Sequence, residues 1–439
     1  MLKLRVEVGD RVGVIGFEDV WPLEERQPWD VVGPEEGQER RIFNGDQAVR
    51  SKILSMASEP LGEVVLTYFE EPVPPFMRQY RRGMTGPIPS MYLQTLRQRL
   101  EKANLTVTEW NMAKEDDPPE PKAKGRPRVL LVLPPPEGPP MRPPGSEEEP
   151  NQWGEKQEKK LDELIAGGTG AVFLAAYFQP EMAQFGALRP VPYLLNDYLK
   201  KNWGVEARTD LRVVQAVPDP LNPGTYQLPV LRWTFLPLSA FTDHPAGKPL
   251  RARRLYWLSV CPVVKAEGKP KTTFREILVV PRNPSGGTWA ASNPLQLERK
   301  LFLGQGRGIV PGSEADDMLP PFPVAAEAAK TVKGKTARII VLGVGLSYVD
   351  PFINSPVPRL TGGETLATDP PPTSDVDLIT NSVYYLIGKR EFIGAGPSPT
   401  PRIRHIPPAT MGAVKVVFGV LWPLALLAVG GVVMLLRKR

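Results

Sequence analysis

Few residues in this chain have the type and spacing to do chemistry. Cys261 is the only cysteine, and it lies in the apolar run LYWLSVCPVV. A cysteine attacks as its thiolate, which nearby positive charge or a helix N-terminus favours and apolar surroundings oppose. Cys261 therefore reads as an inert buried thiol. His244 and His405 are the only histidines, 161 positions apart, and neither has a Cys or His neighbour at metal-ligand spacing. The pairs Asp316-Asp317 and Asp375/Asp377 could hold a cation, but helix capping and surface charge account for them equally well. Gly304-Gln305-Gly306-Arg307-Gly308 has the look of a phosphate loop. It lacks a preceding buried strand, a following helix and the Gly-Lys-Ser/Thr that such loops carry, so it reads as a plain loop. No Ser, His and Asp set suggests itself. The residues thus predict no catalytic, cofactor-binding or metal-binding site, and a protein that is not an enzyme.

Charge excludes another class. The formal net charge is +6, and Lys415 with Arg437, Lys438 and Arg439 supplies four of those charges. The remainder is too nearly neutral for a nucleic-acid binder, which carries a pronounced basic face. Lys122, Lys124, Arg126 and Arg128 cluster, but in a proline-rich linker. Proline is the unusual residue: 52 in 439, against a usual share of about 5%. The prolines gather at 118–150, 217–223, 319–323, 369–372 and 397–408, which read as stiff linkers and loops.

The elements between them follow the order strand, helix, strand. Leu2 to Val8 alternates apolar and polar residues and reads as a strand or hairpin, not a signal peptide. A short helix is expected over Asp46 to Met56 and a strand at EVVLTYF. A helix from an N-cap at Ser90 to Ala103 and a strand at Thr106 to Trp110 follow. Next, VLLVL at 129–133 and AVFLAAYF at 171–178 are apolar runs of the kind covered on both faces. Between them Glu155 to Ala166 is a helix stopped by Gly167-Gly168, and Tyr193 to Trp203 is another. Segments 228–292 are β-rich. ARIIVLGV at 337–344 is a further buried strand, and Ser374 and Asp375 cap a helix to about Ile387.

The division implied is an N-terminal α/β domain over 1–117, a linker over 118–128 and a second α/β domain over 129–227. A β-rich segment at 228–300, a loop or linker at 301–335 and a strand-helix part at 336–394 follow. A proline-rich stalk at 395–411 leads to a transmembrane helix at 412–436 and a basic tip at 437–439. The fold class expected is α/β, with tandem, mainly parallel sheets of amidotransferase-like or flavodoxin-like layers. The membrane expectation rests on VVFGVLWPLALLAVGGVVMLL at 416–436, 21 residues without a charge, long enough for a helix to cross a bilayer of about 30 Å. It places the protein at an inner (cytoplasmic) membrane with a single carboxy-terminal anchor. The terminal Arg-Lys-Arg favours a body outside the cytoplasm.

In this order the segments resemble the GldG-like family, the auxiliary component of ABC-type transport systems associated with gliding motility. The resemblance is carried by Gly45-Asp46-Gln47-Ala48-Val49, the strand Val64 to Phe69, the helix Tyr92 to Ala103 and the strand Val107 to Trp110. It continues in Val129 to Leu133, Leu161-Asp162-Glu163-Leu164 with Gly167-Gly168, Arg338 to Gly343, and Asp377 to Val383. Two strand ends depart from the family pattern. Glu70-Glu71-Pro72 stands in place of a Gly-His-Gly-Glu-like turn, and Val344, Gly345 and Leu346 stand in place of an acidic pair. The family usually also begins with membrane helices. The resemblance implies an amidotransferase-like scaffold, whose enzymes place a cysteine at a strand-to-helix elbow. Here that strand ends Ala175-Ala176-Tyr177-Phe178. The expectation is a membrane-anchored, non-catalytic accessory subunit that binds the permease and ATPase subunits of an ABC-type transporter, a constituent of the bacterial envelope. Its other contact would be the membrane lipid bilayer, with no nucleic acid and no cofactor. The competing readings are an envelope hydrolase acting on sugars or peptides, and a purely structural tail-anchored protein.

Overall fold

The computed structural model describes residues 3–8, 11–21, 59–70, 90–122, 125–135, 153–176, 193–219, 221–227, 240–252, 255–268, 272–282, 287–332, 334–354 and 374–394, with a few shorter pieces between them. Seven strands form the central sheet: β1 (Gly62–Tyr68), β2 (Leu105–Asn111), β3 (Arg128–Val132), β4 (Gly170–Leu174), β5 (Thr273–Val280), β6 (Phe322–Val332) and β7 (Lys335–Leu342). Their order is β5-β6-β7-β4-β3-β1-β2. From β7 to β2 every pair is parallel, and β5 and β6 add antiparallel strands at one edge. The molecule is mixed α/β with a large, mainly parallel sheet. As expected from their apolar runs, β3 and β4 are buried neighbours, with Val129 opposite Gly170 and Val132 opposite Phe173.

Strand residues alternate between two faces, and each face has its own helix layer. Val64, Leu66, Leu131, Val172, Leu174, Ile340 and Leu342 share one core with Leu96 and Leu100 of α1 (Gln94–Lys102) and with Leu378 and Val383 of α4 (Ser374–Leu386). Val65, Leu130, Val132, Phe173, Ile339 and Val341 share the other core with Leu161 and Ile165 of α2 (Glu155–Ala166) and with Tyr198, Leu199 and Trp203 of α3 (Asn196–Trp203). Burying such a side chain is worth about 1.5–3 kcal/mol. The helices are therefore held by the stripes that the i, i+3, i+4 spacing places toward the sheet.

Four expectations are corrected. The sheets are not tandem: β1 and β2 of the first unit hydrogen-bond into the same sheet as β3, β4 and β7. An apolar strand run is stabilised only when both faces are covered, and the two helix layers cover both faces of the one sheet that all five share. Segment 301–335 is not merely a linker, because its second half is the 11-residue strand β6. Alanine-rich FPVAAEAAKTV has little strand propensity of its own, but pairing with β5 and β7 on both sides supplies the hydrogen bonds. Helix α1 is capped from a distance: Gln94 and Thr95 donate backbone N–H bonds of 3.0 and 2.9 Å to the Asp350 carboxylate. Finally, among the described residues no helix is long and apolar enough to cross a membrane. The single-pass anchor is withdrawn, and with it the membrane-protein assignment and the inner-membrane placement that rest on it. Its expected span at 412–436, the stalk at 395–411 and the tip at 437–439 lie outside the described residues, as do most positions of the helix expected over Asp46 to Met56.

Candidate functional site

Open parallel sheets bind ligands beyond the carboxyl ends of their strands, where neighbouring connections leave in opposite directions. Here that point lies between β1, whose chain continues to β2 on one side, and β3 on the other. The backbone there is tied down. Leu133 donates to the Thr67 carbonyl at 2.9 Å, and Met112 donates to that of Tyr68 at 2.8 Å. The Asn111 side chain clamps Glu70, accepting from its N–H at 3.0 Å and donating to its carbonyl at 2.7 Å. Trp153 stands edge-on to Phe69, with ring centroids 6.0 Å apart. Both ends of the Asn111 amide are engaged by the Glu70 backbone. Segments 71–89 and 136–152, which follow these strands, lie outside the described residues.

The neighbouring strand ends are sealed by a crossing chain. Ala175 donates to the Leu342 carbonyl at 2.8 Å and accepts from Gly345 at 3.1 Å. Cys261 donates its backbone N–H to the Gly343 carbonyl at 3.3 Å. Its own carbonyl passes so close that a Cβ on Gly343 would lie 2.1 Å from it, so only glycine fits there. Cys261 is fully buried, and burial pushes its thiol far above the usual range. It therefore stays protonated, as its apolar run predicts. Tyr193 donates its hydroxyl to the Leu174 carbonyl at 3.1 Å, and burial raises that phenol too.

The other residues singled out in the sequence are dispersed. Gly304 follows the helix Pro294–Phe302, and Ile309 pairs with Tyr226, so the glycine run is a helix-to-bridge turn. Asp317 accepts from the Ser292 N–H at 2.9 Å and hydroxyl at 3.0 Å and closes a turn. Asp375 and Asp377 are buried in the first turn of α4, where their charge suits the helix N-terminus. Arg128 pairs with Glu63 at 2.9 Å and Arg126 pairs with Glu59, so these linker cations anchor β3. Among the described residues no three His, Cys, Asp or Glu side chains are grouped to hold a metal. His405 lies outside them.

One cluster was not foreseen. Glu327, in the middle of β6, is 4% exposed and faces the α4 side, since its neighbours Ala326 and Ala328 belong to the opposite core. His244 Nε2 lies 3.1 Å from its carboxylate, and the Tyr385 hydroxyl of α4 donates to it at 3.0 Å. The Ala246 N–H donates to His244 Nδ1 at 3.2 Å, so the ring carries its proton on Nε2 and donates it to Glu327. Burial works to raise the Glu327 carboxyl, but the bonds from His244 and Tyr385 and the charge of Arg275 outweigh it, and the group sits below its usual range. Tyr385 moves the other way, raised by burial and by the carboxylate beside it. The cluster is a satisfied, ionised lock that ties segment 240–252 and α4 to the sheet. A carboxyl held ionised is not a general acid. Sequence reading missed the lock because its members lie 83 and 58 positions apart and its central residue sits in a segment read as a linker.

No family model and no curated protein matches the chain. Among solved structures, the chain is similar to the "mmIFT52 N-terminal domain", with 10% identity, a TM-score of 0.39, and coverage of 73% of this chain and 97% of that one. It is also similar to a putative ThuA-like protein from Bacteroides uniformis, with 12% identity, a TM-score of 0.32, and 75% and 93% coverage. A putative ThuA-like protein from Parabacteroides merdae is similar at 10% identity and a TM-score of 0.28, with 78% and 94% coverage. At these scores the likenesses carry no argument about function, and the chain stands as a mixed α/β protein with a large, mainly parallel sheet.

Proposed function

We propose that the chain is a non-catalytic accessory subunit: an amidotransferase-like scaffold that binds other proteins, with the permease or ATPase of an ABC-type transporter as its partner. The observation that supports the non-catalytic reading is that described groups at the carboxyl ends of the sheet are engaged in structural contacts. Asn111 clamps Glu70 at one place, and Cys261 is walled in against Gly343 at the other. The partner comes from the GldG-like order of segments. Affinity purification of the full chain from cells that express the transporter tests it. Enrichment of a permease or ATPase subunit above background is the expected result, and its absence at near-native expression removes the partner assignment. The hydrolase alternative requires a carboxyl of raised pKa converging with a second one, and Glu327, the buried carboxylate of the His244–Tyr385 cluster, is shifted downward.

A further inference from the structure

Three guanidinium groups gather at the solvent side of the Glu327 lock. Arg275 lies directly opposite Glu327 in the β5–β6 register, and its Nη1 is 3.9 Å from the carboxylate. Arg338 of β7 lies two pairs further along, opposite Ala329 and so on the same face as Glu327, with its Nε at 3.6 Å. Arg390, in the turn after α4, stacks over the Tyr385 ring with its guanidinium carbon 4.9 Å from the centroid. The Glu327 oxygens are already taken by His244 and Tyr385. The two strand arginines therefore stay beyond hydrogen-bonding distance, and their donors are not used by that carboxylate. Their side chains are 54% and 40% exposed, and Arg390 is exposed as well.

Charge does not balance at this place. Three cations face one carboxylate. The other acidic groups nearby are engaged elsewhere: Asp243 with Lys248 and Arg251, and Glu391 with Lys389. Glu276 sits opposite Ala326, so it points to the other side of the sheet. The surplus is two positive charges, on planar donors whose backbones are set by the sheet register for Arg275 and Arg338, while Arg390 stacks on an aromatic ring. Guanidinium groups so arranged match the oxygens of a phosphate group.

We propose that Arg275, Arg338 and Arg390 form a binding site for a phosphate group on a soluble ligand, with the Glu327–His244–Tyr385 lock as its rigid floor. The site lies along β5, β6 and β7, apart from the β1–β3 switch point, and it does not depend on the accessory-subunit reading.

The test is thermal unfolding of the full-length chain in increasing sodium phosphate, against sodium chloride at equal ionic strength and neutral pH. A site that binds only the folded state raises the transition temperature along a saturating curve. The expected result is such a curve in phosphate and none in chloride. Arg390→Gln changes an exposed turn residue and leaves the sheet intact. Each lost charge-assisted hydrogen bond should weaken phosphate about tenfold or more, so Arg390→Gln shifts the curve and the Arg275→Gln, Arg390→Gln pair abolishes it. Lys156→Gln, which removes an equal charge from exposed α2, should leave it unchanged. A response that never saturates, that chloride reproduces, or that survives in the paired arginine variant overturns the proposal.

Discussion

Glu327 remains ionised inside the helix layer because His244 and Tyr385 donate to it and Arg275 and Arg338 stand close by. Its folded-state pKa lies below the unfolded value of about 4.3. The sign follows: its stabilisation is fully present above that unfolded value and is lost as pH falls through the folded one. Glu327→Ala should cost about 3 kcal/mol at neutral pH, because it leaves His244 and Tyr385 unpaired in the interior. Urea unfolding of both proteins from neutral to acid pH checks this. The gap between them should be constant near neutrality and narrow in acid, and a gap independent of pH would show that the carboxylate charge does not matter. Cys261 gives a second prediction at this scale. Being fully buried with a raised thiol, it should resist a thiol-reactive reagent in the folded chain and react fully in denaturant. Fast labelling of native protein would contradict the burial of Cys261. Its burial was legible from the apolar run around it, whereas the partner of His244 was not, because nothing local to His244 names a glutamate 83 positions away.

At the scale of elements, the helices and buried strands were largely readable. Glu155–Ala166 forms over the expected range because Leu161 and Ile165 fall on one face and glycines follow it. What could not be read was how α1 begins. Its first N–H groups are satisfied by Asp350, more than 250 positions away, and Asn354 adds a 2.9 Å bond to the Thr95 hydroxyl. Asp350→Ala should therefore destabilise the chain by about 1 kcal/mol, the usual worth of an N-cap. Loss of this cap should also speed amide exchange at the start of α1, from Gln94 onward. An Asp350→Ala variant with unchanged stability and exchange would mean the contact carries no weight. Strand β6 is the clearest miss, since the alanines around Glu327 favour a helix when taken alone. Two flanking strands override that preference by supplying hydrogen bonds on both edges.

At the scale of the whole molecule, two hydrophobic cores lie on opposite faces of one sheet, and each draws residues from segments once assigned to separate domains. Residues 59–135, 153–176 and 322–394 should therefore unfold together. Calorimetry of the full chain should show one main transition covering both cores, and two well-separated transitions would restore the tandem arrangement. The hairpin of strands Lys3–Val8 and Arg11–Gly16 has a small core of its own, Val6, Ile15 and Val20, and should exchange its amides before the sheet does. By itself the sequence determined the α/β class, the apolar strands that lie inside the sheet, the burial of the cysteine and most helix limits, because periodicity and burial are local properties written into neighbouring residues. Only the tertiary structure decided that these strands form one sheet and that an alanine-rich segment is one of them. It alone showed that Glu327, His244 and Tyr385 meet beneath three arginines, since hydrogen-bond partners and charge balance are set by contacts between residues far apart in the chain.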